Sequence, residues 1–249
     1  MAGFWPAPDA GIALAAIAPF LAAILSPFLF RLTGRLTGWP LALVPAAIFI
    51  YLLGFAEYVV GGGTIAVSLP WIEAYGLNFS FFIDGLSLVF ALTISGIGTL
   101  ILLYAGAYLA GHPHQGRFLG FMLAFMGAML GLVLADNLLV LFVFWELTSI
   151  TSFLLIGFDH SRQAARRAAI QALVITNIGG MALLAGGILV YLLSGSWEMS
   201  ALRGMGDLLR EHALYGVVLA AFVVAAFTKS AQFPLHFWLP NAMEAPTPV

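Results

Sequence analysis

Seven stretches of roughly 20 apolar residues each, joined by short polar connections, leave this chain little choice of fold. They lie at about 11–30, 40–60, 84–109, 118–135, 137–157, 168–193 and 214–232. A helix rising 1.5 Å per residue needs about 20 residues to cross a hydrocarbon core of about 30 Å. Inside that core the backbone must satisfy its own hydrogen bonds, which favours helices. Composition agrees: 62% of residues are hydrophobic and 8% charged, where a soluble domain is about 25% charged. We therefore expect an all-α polytopic membrane protein with about seven transmembrane helices. The first run is too long for a signal-peptide core and has no cation before it, so it reads as a retained helix.

The loops suggest an orientation. Arg31, Arg35, Arg117, Arg162, Arg166 and Arg167 fall on one side, against Arg203 and Arg210 on the other. The positive-inside rule then places the N-terminus outside, in a multi-pass protein of the cell (inner) membrane. A formal charge of −2 implies no nucleic-acid partner. The absence of cysteine removes disulfides, iron–sulfur clusters and thiolate metal sites, and no cofactor is expected.

Three connections have their own character. Residues 64–82 alternate at strand period, with Ile65, Val67 and Leu69, then Leu77, Phe79 and Phe81, on either side of Pro70 to Gly76. This predicts a short external β-hairpin. Only Asp136 and Asn137 separate the fourth and fifth runs, which predicts a tight helical hairpin. Met199, Leu202, Met205 and Leu209 recur at helical spacing, which predicts one interfacial helix over Trp197 to His212.

Two charges stand apart from these. Glu146 lies about nine residues into the fifth run and Lys229 about 15 into the seventh, both deep in apolar sequence. Ionisable groups at such depth are costly and commonly mark ion pathways or proton relays. Burial disfavours the charged form of either group and an opposite charge favours it. A buried lysine whose partner comes and goes can thus load and release a proton. The alternative is a static Glu146–Lys229 pair that fastens two helices.

The surroundings are polar. Thr148, Ser149, Thr151 and Ser152 follow the carboxylate within two turns, suited to lining water or to packing a neighbouring helix. Thr176, Asn177, Gly179 and Gly180 form a narrow stretch of the sixth run that suits close helix packing. Thr228, Ser230 and His236 flank the lysine as candidate members of a polar path. Pro234 lacks an amide donor and its ring would meet the Ser230 carbonyl, so the seventh helix should break one turn past Lys229. Broken helices at membrane depth line cavities and ion sites. Glu57 and Asp84 sit near span ends, where headgroups or water solvate them; Asp136 fits a turn; His112, His114, His160 and His212 are in loops. The Arg162–Arg167 cluster reads as an anchor to anionic headgroups. No cluster of oxygen ligands stands out as a sodium site, so the sequence leaves the transported cation open.

From about Asn78 onward the chain resembles the proton-conducting antiporter subunits shared by Mrp-type cation/proton antiporters, respiratory complex I and membrane-bound hydrogenases. The resemblance rests on three stretches. The first is Asn78-Phe79-Ser80-Phe81 with Asp84-Gly85-Leu86-Ser87. The second is Phe144-Trp145-Glu146-Leu147-Thr148-Ser149 with Ser152-Phe153-Leu154-Leu155-Ile156-Gly157-Phe158. The third is the block from Thr228 to Val249, similar to the family's broken helix. It implies that Glu146 matches the family's essential glutamate and Lys229 its essential lysine. Leu147-Thr148-Ser149 after the glutamate is similar to the branch of A-type Mrp subunits, whereas complex I relatives tend towards glycine and valine there. Complex I relatives also commonly carry an arginine and an aspartate where this chain has Asn177 and Gly180.

By resemblance, residues 1–110 hold the first three helices and the hairpin, and 111–249 an incomplete first proton-translocating repeat made of helices 4–7. The family continues into an eighth helix and a second, inverted repeat, so the chain reads as the N-terminal part of a longer polypeptide. The implied protein is a secondary transporter component rather than an enzyme. Its expected partners are other membrane subunits of a hetero-oligomeric sodium/proton antiporter and the lipid bilayer, and it would handle protons and sodium. Two alternatives carry different predictions: a proton-pumping component of a redox complex, and a structural scaffold whose charges only hold helices.

Overall fold

The computed structural model describes residues 8–72 and 77–249. In chain order these form α1 (Pro8–Thr33), a 3-10 turn (Gly34–Leu36), α2 (Gly38–Leu53), α3 (Ala56–Val60), β1 (Ile65–Ile72) and β2 (Leu77–Ile83). Then come α4 (Gly85–Tyr108), α5 (Gln115–Leu134), α6 (Leu138–Ile156), α7 (Gln163–Ser194), α8 (Met199–Leu202), α9 (Gly206–Arg210), α10 (Tyr215–Lys229) and α11 (Trp238–Ala242).

The chain is mostly helical, as the apolar runs require, and among the described residues five helices are long and apolar enough to cross a membrane: Ala10–Leu36, α4, α5, α6 and α7. The runs at 40–60 and 214–232 differ from expectation. They yield α2 of 16 residues and α10 of 15, about 24 and 22 Å long at 1.5 Å per residue. The first is cut at Gly54 and Phe55, whose amides turn back three residues to Tyr51 and Leu52. The second stops at Lys229 itself, not one turn beyond.

That stop has a local cause upstream of Pro234. Ala231 takes a left-handed φ of 51°, and the Gln232 amide bonds the Phe227 carbonyl at 2.9 Å. This six-to-one closure is the Schellman way of ending a helix. The Thr228 carbonyl, left over by that closure, accepts the indole N–H of Trp238 at 3.0 Å.

β1 and β2 are hydrogen-bonded neighbours in a two-stranded sheet. Val67, Leu77, Phe81 and Ile83 are buried, and Trp71 meets Phe79 with ring centroids 4.7 Å apart. The expected turn at 73–76 lies outside the described residues. Asp84, expected to be held by solvent, instead caps α4: its carboxylate accepts the Ser87 amide and the Ser87 hydroxyl accepts the Asp84 amide.

The chain divides into two compact units. In the first, which comprises Met1–Leu69, Phe81–Leu134 and Thr247–Val249, α1 packs on α5, α2 on α4 and α4 on α5. The α2–α4 crossing needs glycine on both sides. A Cβ on Gly38 would stand 2.9 Å from the Gly106 Cα, and one on Gly106 would stand 2.8 Å from the Gly38 Cα. Fully buried Gln115 donates to the Gly106 carbonyl at 2.9 Å beside that crossing.

The second unit, Pro70–Ser80 with Ala135–Pro246, is organised around α7, which packs against α6, α10 and α11. Its buried stripe is mostly small, with Ala165, Ala169, Ala172, Thr176, Gly179 and Gly187 at three- and four-residue spacing or its multiples. Small residues let helix backbones approach, which supplies the packing that holds helices together where the hydrophobic effect is weak.

The connection before α6 is more than a turn. Asn137 caps α6 by accepting the Leu139 and Val140 amides, and its side-chain amide donates to Glu198 at 3.1 Å. Asp136, 6% exposed, accepts both the amide and the hydroxyl of Ser200 at 2.9 and 2.6 Å. The predicted single helix over 197–212 is two short ones, α8 and α9, because the Gly204 and Met205 amides turn back only three residues. Met199 and Leu202 of α8 pack on Leu138, Val190 and Val218. Asp136→Ala should therefore free α8, costing about 1–3 kcal/mol for the unsatisfied donors. Faster amide exchange confined to residues 199–202 in lipid nanodiscs would show it, and unchanged exchange there would contradict it.

Candidate functional site

Within the second unit, α6 and α10 both pack on α7, and the two deep charges meet there. Glu146 is the ninth residue of α6 and Lys229 the last of α10. The Lys229 ammonium donates to the Ser149 hydroxyl at 3.0 Å, to the Trp145 carbonyl at 3.3 Å and to the Thr148 hydroxyl. It also lies 5.2 Å from the centre of the Trp145 ring, within cation–π range.

The hydroxyls are oriented for this. Thr148 donates its own proton back to the Trp145 carbonyl at 2.7 Å and Ser149 does so at 3.3 Å. Their lone pairs are left to accept from the ammonium. Helical spacing makes the arrangement automatic, since residues three and four after Trp145 share its face.

Glu146 is not the ammonium's direct partner. Among the described residues the two side chains form no ion pair; the lysine is held on neutral oxygens instead. The Glu146 Oε1 atom is buried and has no hydrogen-bond partner among the described residues, and the same holds for the Trp145 indole nitrogen. Unsatisfied buried polar atoms of this kind are uncommon and costly.

Glycines on α7 make room for both partner helices. A Cβ on Gly180 would fall on the Glu146 carboxylate, and one on Gly179 would fall on the Thr228 side chain. The narrow stretch expected at 176–180 thus serves packing, with Gly179 facing α10 and Gly180 facing α6.

The other predicted path residues divide. Thr148 and Ser149 hold the ammonium. Thr228 is fully buried and bonds back to the Ala225 carbonyl at 2.8 Å. Ser230 is exposed and bonds back to Ala226 at 2.5 Å. His236 is exposed, against Phe233 at 5.6 Å between rings, and no bond joins it to Lys229 among the described residues. Pro234 lies in the exposed turn between α10 and α11. Trp145 was missed by sequence reasoning, although its place beside Glu146 and its ring were visible signals. Trp238 carries no distinguishing signal in the sequence, because its bond to Thr228 is set by a turn in the chain.

The tail itself is fastened to α7. Asn241 donates to Gln171 at 2.7 Å, and Arg162 pairs with Glu244 at 2.6 Å. Trp238, Ala242 and Ala245 pack on Ile156, Ala168, Ala169 and Ala172.

Comparison with known proteins bears on this arrangement. Residues 135–249, which carry the whole site, match the family described as NADH:quinone oxidoreductase/Mrp antiporter, TM, and residues 71–119 match NADH-Ubiquinone oxidoreductase (complex I), chain 5 N-terminus. The chain belongs to this family of antiporter-type membrane proteins. Over 237 residues, 94% of its length, it is 46% identical to the Na(+)/H(+) antiporter A-type subunit of Alkalihalophilus pseudofirmus. It spans 29% of that relative.

Among solved structures it is similar to a chain of the Mrp complex from Dietzia sp., with a TM-score of 0.85 and 36% identity over 95% of this chain and 25% of that one. It is also similar to a chain of respiratory complex I from Thermus thermophilus, with a TM-score of 0.75 and 28% identity over 94% and 47%. Family membership and the five apolar helices among the described residues together make it a multi-pass membrane protein. Within the antiporter family it corresponds to an N-terminal part of the A-type Mrp subunit.

Proposed function

We propose that the chain is part of a membrane subunit of a multisubunit sodium/proton antiporter, in which Glu146 and Lys229 relay protons. The observation that carries this reading is the Lys229 ammonium seated within one turn of Glu146, on neutral acceptors, beside a carboxylate oxygen that has no partner. A lysine so placed has somewhere to go. Moving towards the carboxylate gives it a counter-charge, and moving back to the hydroxyls removes it, so loading and release of a proton follow from short displacements.

The same reading takes α2 and α10 as the shorter two of seven spans, the sheet as external and the N-terminus outside, with residues 111–249 forming the start of a proton-translocating repeat. The names of the relatives support sodium as the exchanged cation and other Mrp subunits as partners. A redox-driven proton pump is the second reading, favoured by the likeness to complex I. Leu147-Thr148-Ser149 and the need for glycine at 180 favour the antiporter.

The test is sodium-dependent dissipation of ΔpH in everted vesicles bearing the full-length protein. Glu146→Gln and Lys229→Ala should each lower it by about a hundredfold or more, the lower range for a positioned acid–base group. Wild-type rates in both would overturn the relay.

A further inference from the structure

The Lys229 ammonium rests on three oxygens of one α6 turn, and all three are acceptors in the geometry observed. The Thr148 and Ser149 hydroxyls both commit their only proton to the Trp145 carbonyl. The ammonium then takes the free lone pairs of both hydroxyls and shares the carbonyl with them. Thr148 is fully buried and Ser149 is 2% exposed, so bulk solvent is not a ready substitute for either. The Trp145 ring closes one side with its electron-rich face.

We infer that Thr148 and Ser149 are positioning residues, a parking station that holds Lys229 as an ammonium off the Glu146 carboxylate. The inference rests on the relay proposed above and names what holds the lysine in its unpaired state. With both hydroxyl protons turned to the Trp145 carbonyl, the site presents acceptors to a side chain that offers three N–H groups. The lysine therefore has two stations on one helix: neutral hydroxyls at positions 148 and 149, and a carboxylate at 146. A static clamp needs only the carboxylate. Two stations of different charge within one helical turn let a short swing of one side chain change the electrostatic surroundings of both groups.

Side-chain variants of the full-length protein in everted vesicles test this, with sodium-dependent ΔpH dissipation as the readout and protein level in the membrane measured alongside. Thr148→Val keeps the shape and removes the hydroxyl, and Ser149→Ala removes the other. The pair together should lower transport by about tenfold or more, as expected for lost hydrogen bonds to a charged group, at unchanged membrane level. Thr148→Ser restores the hydroxyl and should recover most of the activity that Thr148→Val loses.

Two results would overturn the station: wild-type transport in the Thr148→Val/Ser149→Ala protein, or Thr148→Ser as inactive as Thr148→Val at equal membrane level. If the double variant is lost from the membrane, the Thr148→Val and Thr148→Ser pair decides alone. Active station variants beside inactive Glu146→Gln and Lys229→Ala would refute the station and leave the relay standing. Activity in those two would refute the relay itself.

Discussion

Gly180→Ala is expected to cut sodium-dependent proton movement by at least about tenfold, or about 1.4 kcal/mol of barrier, while the protein still folds and reaches the membrane. The added methyl would occupy the place of the Glu146 carboxylate. That carboxylate is the far end of a flexible side chain, so it can swing aside without parting α6 from α7. The fold survives and the placement of the carboxylate does not. Gly179→Ala is the contrasting variant. Its methyl meets the branched, fully buried Thr228 side chain, where overpacking costs about 1–3 kcal/mol. Vesicle transport and thermal unfolding, measured on both, should separate them: Gly180→Ala loses transport at near-native stability, and Gly179→Ala loses stability. Native transport by a stable Gly180→Ala protein would contradict this packing of α6 on α7.

Replacing both deep charges by apolar residues of matched size, Glu146→Leu with Lys229→Met, should leave the protein assembled and abolish transport. Exchanging buried charged groups for well-packed apolar ones is often neutral, or stabilising by about 1–4 kcal/mol. The Glu146 Oε1 has no partner to lose. The lysine gives up its bonds to Thr148, Ser149 and Trp145, and the two hydroxyls keep their own bonds back to the Trp145 carbonyl. A scaffold role predicts native transport in this protein and a relay predicts none, so one vesicle measurement with a check of membrane level discriminates between them.

Much of the architecture was legible because the bilayer imposes one simple rule, that apolar runs of sufficient length become helices. Five of the runs became helices of spanning length. The other two fell short for reasons a hydropathy pattern does not contain. At Gly54 and Phe55 the backbone tightens into three-residue turns, and at Ala231 it turns left-handed although the residue is not glycine. Pro234 pointed to a break one turn past Lys229, whereas the helix ends at Lys229, five residues before the proline. A proline states where a helix cannot continue, and what ends it sooner is the left-handed turn at Ala231 with the Gln232 amide closed on Phe227.

The site shows the same division. From sequence alone, Glu146 and Lys229 were conspicuous, since a charge in an apolar run carries a cost that invites a functional explanation. Opposite signs then suggested that they pair. The tertiary structure decided otherwise, because α10 delivers the ammonium to the α6 face of Trp145, Thr148 and Ser149, while Glu146 turns towards Gly180 of α7. Which face of a helix a distant side chain meets depends on crossing geometry, and that geometry is set by where glycines let backbones approach. The chemistry of the two deep charges was therefore written in the sequence, and the choice of what each one touches was made by helix packing.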